Sequence, residues 1–285
     1  MTRPTPPPHA RVDDVVRRAL EEDLHDLGDI TTDAAVGPGD RAVGRILARR
    51  GGCIAGLGIA VRVFELLGGD VEAIHHVHDG AMVDGGTVLA ELRGTARTLL
   101  TGERTALNLL GHLSGIATAT AAAVAAVRDF DVRITDTRKT TPGLRALERY
   151  AVRCGGGSNH RSGLYDAVML KDNHLIAAGS ITEAVRAARA QVGHTVRVEV
   201  EVDHLDQLPE VLRADPDIVL LDNMDPPTLR RAVTAIAGRA TVEASGGITL
   251  EDLAGIAATG VDVISLGWIT HSAPRLDVAL DLDGS

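Results

Sequence analysis

The sequence predicts an α/β protein in two parts: a smaller part with short antiparallel strands, then a larger parallel β/α barrel. Three observations carry this reading. First, six short runs rich in Val, Ile and Leu lie at 132–135, 167–170, 196–200, 218–221, 242–244 and 261–266, with helical stretches such as 181–190 and 227–237 between most of them. Buried β-branched runs alternating with helices mean a parallel sheet covered on both faces. Second, about six such units are too many for a hairpin fold and point to a closed or partly closed barrel. An open doubly wound sheet is the alternative, weakened because no G-x-G-x-x-G follows the first run. Third, the N-terminal part is punctuated differently. EAIHHVHDG and MVDGGTVLAELRG read as short strands set off by Asp-Gly and Gly-Gly.

The elements follow in order. Residues 1–10, MTRPTPPPHA, are Pro-rich without an apolar core, so they read as a disordered arm and not a signal peptide. From 12 to 24, Val12, Val15, Val16, Ala19 and Leu20 recur at threes and fours, which is helical spacing. A strand at 43–48 and a helix at 59–67 come next. Residues 97–127 form a long Ala- and Leu-rich helical stretch, with Gly111 or Gly115 as candidate breaks. The domain boundary is placed there, giving an N-terminal domain at 1–115 and a barrel at 116–273. The closing segment, 274–285, contains LDVALDL, which alternates like a strand and is expected to return to the N-terminal sheet. No apolar run approaches the length of a membrane span.

Composition narrows the function. Apolar residues make up 45% and aromatics only 2%, so the core must be built from Ala, Val, Leu and Ile. A net charge of −10 argues against a nucleic-acid surface, which needs a basic field. Cations that bind anions must therefore be few and focused into a cleft. Cys53 and Cys154 form no CxxC pair, which fits a reducing compartment and offers no zinc site.

The chemistry collects at the ends of the barrel runs. These carry Asp136-Thr137-Arg138-Lys139, then Lys171-Asp172-Asn173-His174, then Glu199, Glu201 and Asp203, then Asp222-Asn223, Ser245-Gly246-Gly247 and Gly267-Trp268. In a β/α barrel the C-terminal strand ends converge on one mouth. One charged strand end is more often a solvated loop, but six in succession are poorly explained that way. Gly246 and Gly247 let the backbone approach an anion. Thr249 is expected as an N-cap with Asp252 three residues on, aiming helix N–H groups at the mouth. Gly267 would add a second phosphate-side donor. Arg138, Lys139, Arg161 and Lys171 would focus a polyanion, the alternative being ion pairs with Glu201 and Asp222. Those two acids suit magnesium pyrophosphate or a cationic ribosyl centre, the alternative being paired structural carboxylates. The loop at 154–161, CGGGSNHR, has the flexibility of a ligand-contacting segment. His75, His76 and His78 read as an exposed strand before a metal site. MVDGGTVLAELRG looks like a lipoyl or biotinyl carrier hairpin, but it lacks the lysine such a carrier needs.

With these residues in view, the chain resembles the quinolinate phosphoribosyltransferase family. The matching pieces run in order from about residue 21 to 270: EEDLHDLGDITT, ERTALNLLGHLSGIAT, DTRKTTPGLRALERYAVRCGGGSNHRSGLYDAVMLKDNH, VEVEVD, LLDNM, EASGGIT and SLGWIT. The HDL inside the first piece looks inserted. The resemblance implies an N-terminal α/β sandwich, a partly irregular six- to seven-stranded β/α barrel and a homodimer with shared active sites, a higher oligomer being left open. It implies a cytoplasmic enzyme that uses Mg2+ and moves phosphoribosyl from phosphoribosyl pyrophosphate to quinolinate, releasing carbon dioxide and pyrophosphate and giving nicotinate mononucleotide. By motif, Arg138, His160, Arg161 and Lys171 resemble quinolinate contacts, and Arg104 the contact supplied by the partner subunit. Lys139, with Lys171, resembles a phosphoribosyl contact near the reacting centre. Glu201 and Asp222 resemble the ribose and magnesium carboxylates, acting directly or through water. Ser245, Gly246, Gly247 and Gly267 resemble the 5-phosphate cradle, with His271 reaching toward it. A molybdenum-uptake-associated paralogue, a non-decarboxylating nicotinate enzyme and a non-catalytic phosphate-ligand sensor are the alternatives. Neither nucleic acid nor membrane is expected as a partner.

Overall fold

The computed structural model describes residues 4–68 and 70–283. The chain runs through α1 (His9–Leu24), α2 (Ile30–Ala35), β1 (Arg41–Ala48), β2 (Gly52–Cys53), α3 (Leu57–Leu67), β3 (Glu72–His75), β4 (Met82–Val83), β5 (Val88–Thr95) and α4 (Ala96–Ala126). It continues through β6 (Arg133–Thr135), α5 (Arg145–Cys154), β7 (Val168–Leu170), α6 (Asp172–Ala178), α7 (Ile181–Gln191), β8 (Val198–Val202), α8 (Leu208–Ala214), β9 (Ile218–Asp222) and α9 (Pro226–Ile236). It closes with β10 (Thr241–Ser245), α10 (Leu253–Ala257), β11 (Val263–Ser265), α11 (Trp268–His271) and β12 (Val278–Leu282). Two compact units result. One holds the described residues up to Ala121, residues 140–156 and those from Ile269 on; the other holds 122–139 and 157–268. The division expected near residue 115 falls inside α4, and α5 groups with the first unit.

The first unit is built on an antiparallel sheet in the order β12-β1-β5-β3. The alternating LDVALDL does return to it, pairing Ala48 with Val278 through Gly44 with Leu282. The start of the chain differs from a free arm of ten residues. Helix α1 already begins at His9, and Arg153 Nη2 donates to the Thr5 carbonyl at 2.9 Å. Pro8, at φ −54° and ψ 138°, precedes the first turn, a place where a missing N–H costs nothing. Residues 1–3 of the expected arm lie outside the described residues.

Helix α4 corrects two expectations. It runs for 31 residues without a break at Gly111 or Gly115. Those glycines make room for the returning C-terminal segment. A Cβ on Gly115 would stand 2.2 Å from the Pro274 carbonyl oxygen, and Leu276 N donates to the Gly111 carbonyl at 2.9 Å. The helix is also long and apolar enough, by length and composition, to cross a membrane. Its Leu99, Leu110, Leu113 and Ile116 are instead buried in the protein, as in a core helix. Beside it, Asp79 accepts from the backbone N–H of Gly56 and Leu57 at 2.9 and 3.0 Å and from the Tyr150 hydroxyl at 2.7 Å. Free Cys53 and Cys154, far apart in sequence, meet here: Cys53 Sγ lies 3.5 Å from the Cys154 carbonyl.

The second unit carries a six-stranded sheet in the order β6-β11-β10-β9-β8-β7, parallel throughout. The six apolar runs of the sequence are these six strands, and helices such as α7 and α9 return the chain between them, as a β/α barrel requires. The barrel is irregular. Among the described residues no ladder joins its ends, β6 and β7. Ser158 instead forms a single parallel bridge with Thr135 on β6.

Candidate active site

A cavity of about 400 Å3 opens at the C-terminal strand ends of the second unit. Each wall is one strand end. Thr137, Arg138 and Lys139 follow β6; His160 and Arg161 come from the loop before β7; Met169 and Lys171 come from the end of β7. Glu201 comes from β8, Asp222 from β9, Glu243 and Ser245 from β10, and Ser265 from β11. The parallel register explains the grouping. Glu201 pairs with Leu220, and Ser245 with Asp222, so equivalent strand ends finish at one level.

Of the residues expected from sequence, Arg138, Lys139, His160, Arg161, Lys171, Glu201, Asp222 and Ser245 all line this cavity. Gly246, Gly247 and Gly267 are not among its lining residues, although the first two directly follow Ser245. Gly246 has φ +92°, and a Cβ there would fall 2.3 Å from Asn223 Oδ1 and 2.8 Å from Asn223 N. Glycine is therefore required where β9 and β10 end side by side. Arg104 and His271 belong to the first unit. Arg104 is exposed on α4, 3.8 Å from Glu103. The expected N-cap at Thr249 is corrected. Asp252 accepts from both the N–H and the hydroxyl of Thr249, closing a turn, and the helix begins only at Leu253 and spans five residues. A short polar side chain closing a local turn competes with helix initiation, and here the turn prevails.

The cavity holds mixed charge. Lys171 Nζ lies 2.5 Å from Glu201 Oε2, so for this lysine the ion-pair alternative also holds. Asp222 Oδ2 accepts from Asn223 Nδ2 at 2.5 Å. Arg161 donates to the Ala167 carbonyl at 3.3 Å and approaches Met169 Sδ at 3.4 Å. Burial, then the charge of Arg138, pushes the Arg161 pKa down. An anion placed between these two arginines would relieve both effects.

Three acids that sequence reasoning gave no role stand beneath the cations. Asp136 is fully buried; its Oδ1 accepts from His160 N at 2.7 Å and its Oδ2 from Asn159 Nδ2 at 2.6 Å. Glu199 and Glu243 are also buried, with oxygens 3.6 and 3.3 Å from His160 Nε2. Among the described residues, the other oxygen of Glu199, Oε1, has no hydrogen-bond partner, and Oε1 of Glu243 meets His160 as an ion pair outside hydrogen-bond geometry. His160, Glu199 and Glu243 also form the one described group whose donor atoms lie close enough to share a metal ion. Burial opposes charge on His160, but the two carboxylates outweigh it and raise its pKa to about 10. Burial, helped by the charge of Glu243, raises that of Glu199. One contact opposes an imidazolium: Arg161 N donates to His160 Nδ1 at 2.7 Å, which needs an unprotonated nitrogen. Two carboxylates held against one buried ring outweigh a single neutral N–H···N contact, so the raised value stands. The signal for Glu199 and Glu243 was a charged residue inside each apolar run, VEVEV and TVEAS. In a strand buried on both faces such a residue points into the barrel.

A parallel β/α barrel whose mouth sets two arginines, two lysines and His160 against Glu201, Asp222 and Glu243 has the architecture of an enzyme for small anionic molecules. Residues 29–114 match the model of the quinolinate phosphoribosyl transferase N-terminal domain, and residues 116–281 that of its C-terminal domain. The chain belongs to the quinolinate phosphoribosyltransferase family. It is 46% identical over 274 residues to the probable nicotinate-nucleotide pyrophosphorylase (carboxylating) of Bacillus subtilis, covering 96% of this chain and 94% of that one. It is 48% identical to the nicotinate-nucleotide pyrophosphorylase (carboxylating) of Mycobacterium leprae, covering 94% and 96%. Among solved structures, NadC from Streptococcus pyogenes superposes with a TM-score of 0.94 at 42% identity, over 98% of this chain and 99% of that one. The nicotinate-nucleotide pyrophosphorylase from Francisella tularensis does so with a TM-score of 0.94 at 37% identity, over 99% and 100%.

Proposed function

We propose that the cavity of the second unit transfers phosphoribosyl from phosphoribosyl pyrophosphate to quinolinate with loss of carbon dioxide, giving nicotinate mononucleotide and pyrophosphate. The observation that carries this is the joining of Arg138, Lys139, Arg161 and Lys171 with Glu201, Asp222 and Ser245 around one cavity. Two vicinal carboxylates on a flat ring need several cations in one place, and guanidinium groups suit them bidentately. Glu201 and Asp222 face the ribosyl carbon, where they stabilise positive charge as pyrophosphate departs. The pyridine nitrogen then bonds to that carbon. The quaternary ring draws in the electron pair of the adjacent C–C bond, carbon dioxide leaves, and a proton takes its place. Lys139 is the candidate donor.

Glu201 and Asp222 end adjacent strands as hard oxygen donors, which fits Mg2+. They would hold it directly or through water, and its chemistry is to neutralise the departing pyrophosphate. The working unit is a cytoplasmic homodimer in which the partner subunit supplies Arg104. Exposure of that side chain on α4 supports the assignment. The test is incubation with quinolinate, phosphoribosyl pyrophosphate and Mg2+, followed by measurement of carbon dioxide and nicotinate mononucleotide. Formation of both in equal amounts is expected; absence of either overturns the reading.

A further inference from the structure

We propose that Asp136 is a positioning residue, clasping the Asn159–Arg161 segment to the end of β6 so that the cations on both sides of the clasp face one dicarboxylate. The inference deepens the reading above and rests on it for the substrate.

The place in the fold explains the need. β6 and β7 end the sheet, and no ladder joins them among the described residues. The segment carrying His160 and Arg161 runs beside this open edge with a single strand-like bridge, Thr135 to Ser158. Ser158 N donates to the Ile134 carbonyl at 2.8 Å, and its own carbonyl accepts from Thr135 Oγ1 at 3.2 Å and Asp136 N at 3.3 Å. Past Ser158 the backbone pairing ends and Asp136 continues it. One carboxylate oxygen takes the His160 N–H and the other the Asn159 amide, at 2.7 and 2.6 Å.

Asp136 is fully buried, and a buried carboxylate is costly unless its oxygens are satisfied. Both oxygens here are satisfied by one short segment. Arg138 and Lys139 follow Asp136 by two and three residues, and Arg161 follows the bonded His160 directly. The carboxylate therefore fixes the spacing between Arg138 and Arg161, the groups that flank the dicarboxylate. Glu201, Asp222 and Ser245 lie on β8, β9 and β10, whose register is set by their own ladders. Lys139, a phosphoribosyl contact in the reading above, follows β6, which its own ladder to β11 holds in place. Loosening the clasp should therefore weaken quinolinate binding more than phosphoribosyl pyrophosphate binding.

The test is an exchange of partners. Asp136→Asn keeps an acceptor for His160 N but sets one amide NH2 against that of Asn159. Asn159→Asp sets two carboxylates together. The double variant restores the bond with donor and acceptor reversed. In Asp136→Asn, calorimetry should give a quinolinate Kd raised tenfold or more, while the KM for phosphoribosyl pyrophosphate changes less than threefold. The double variant should recover most of that loss. Asn159→Ala, which leaves the bond to His160 N intact, should show a smaller loss in the same direction and serves if the charge variants do not fold. Equal weakening of both substrates, an unchanged quinolinate Kd, or failure of the folded double variant to recover would each overturn the proposal. Amide exchange read by mass spectrometry judges the clasp apart from the substrate. Asp136→Asn should speed exchange at residues 158–161 tenfold and leave β8 to β10 unchanged; no change at 158–161 overturns it. Failure of the unmodified protein to bind quinolinate would instead count against the functional reading.

Discussion

Lys171 Nζ and Glu201 Oε2 stand 2.5 Å apart at the ends of the neighbouring strands β7 and β8. The lysine gives a counter-charge to a carboxylate with only 11% of its side chain exposed. On the function proposed above, an anionic substrate would compete for the lysine and free Glu201 to face positive charge on the ribose. Removing the lysine would lose the proposed anion contact and also strand the carboxylate, whereas Lys139 is exposed, so truncating it uncovers no buried charge.

Lys139→Ala and Lys171→Ala are therefore expected to behave differently. Each should lower kcat/KM by about 100-fold or more, as loss of a charge contact in a transition state does. Lys139→Ala should leave Tm within about 2 °C. Lys171→Ala should lower Tm further, and Lys171→Ala/Glu201→Gln should recover part of that drop without recovering activity. Thermal melts beside steady-state kinetics check this. A Tm loss in Lys139→Ala that matches its activity loss would make that lysine structural.

The barrel was legible because each strand is a short β-branched run ending in polar residues, and because register brings such ends to one level. Arg138, Lys171, Glu201 and Asp222 could be read for that reason. Asp136 was visible as part of a polar strand end, but its partner Asn159 lies 23 residues on, and nothing local announces that bond. Glu199 and Glu243 sit in mid-strand, where a buried charge depends on what stands opposite, here His160 from a separate loop. The short turn at Thr249 and the unbroken α4 were misread for a related reason. Local propensity favours a cap or a glycine break, and tertiary contacts decide otherwise.

Substrate choice follows from the cation count. On the proposed function, quinolinate would offer two carboxylates to Arg138, Arg161 and Lys171, and nicotinate one. A charged hydrogen bond at a buried site contributes about 1.5–3 kcal/mol, so quinolinate should be favoured at least about tenfold in kcat/KM. Competition between the two acids, followed by product chromatography, measures the ratio. Equal use of nicotinate would contradict the assignment of these cations.

His160 should stay charged through neutral pH. Burial works against the charge, but Glu199 and Glu243 outweigh it and raise its pKa to about 10. A raised pKa in the folded state gives stability that is complete below the ordinary histidine value near 6.5 and is lost as pH rises through about 10. The Tm difference between the unmodified protein and His160→Asn should therefore be greatest near pH 6 and shrink toward pH 10. Nitrogen NMR should show both ring nitrogens protonated at pH 7. A neutral ring at pH 7 would mean that the Arg161 N–H contact prevails instead.

The two thiols should be inert while the protein is folded. Burial first, then the charge of Asp79, raises Cys53 to about 11 and Cys154 to about 12. The thiolate is the reactive form, so neither should be alkylated by iodoacetamide at pH 8 before unfolding, and both should be after it. The sign for stability is the same as for any raised pKa. The contribution is whole below pH 9 and lost as pH rises toward 11 and 12, so Tm should fall over that range. Mass spectrometry of the alkylated protein and melts from pH 8 to 11 check the two statements.

The remaining prediction concerns the subunit that supplies Arg104. This side chain is exposed on α4 of the first unit and is absent from the residues lining the cavity of the second. The assignment to a partner requires a two-fold dimer, in which each subunit gives and receives the same contact. Arg104→Ala and Lys139→Ala should each be nearly inactive alone. In a dimer of one variant chain with the other, one site receives Arg104 from the Lys139→Ala chain and Lys139 from the Arg104→Ala chain, and is whole. Its twin carries both lesions. Random reassortment makes about half of the dimers mixed, so roughly a quarter of all sites should regain activity. Co-expression with two different tags and tandem purification isolates the mixed dimer, where half the sites should work. Crosslinking or native mass spectrometry first establishes that the purified species is the mixed dimer. If it is and remains as inactive as either parent, Arg104 acts within its own subunit or not at the site at all. If mixing restores the expected share, the cation set around the dicarboxylate spans two chains, and dilution below the dimer dissociation constant should abolish activity without unfolding either subunit.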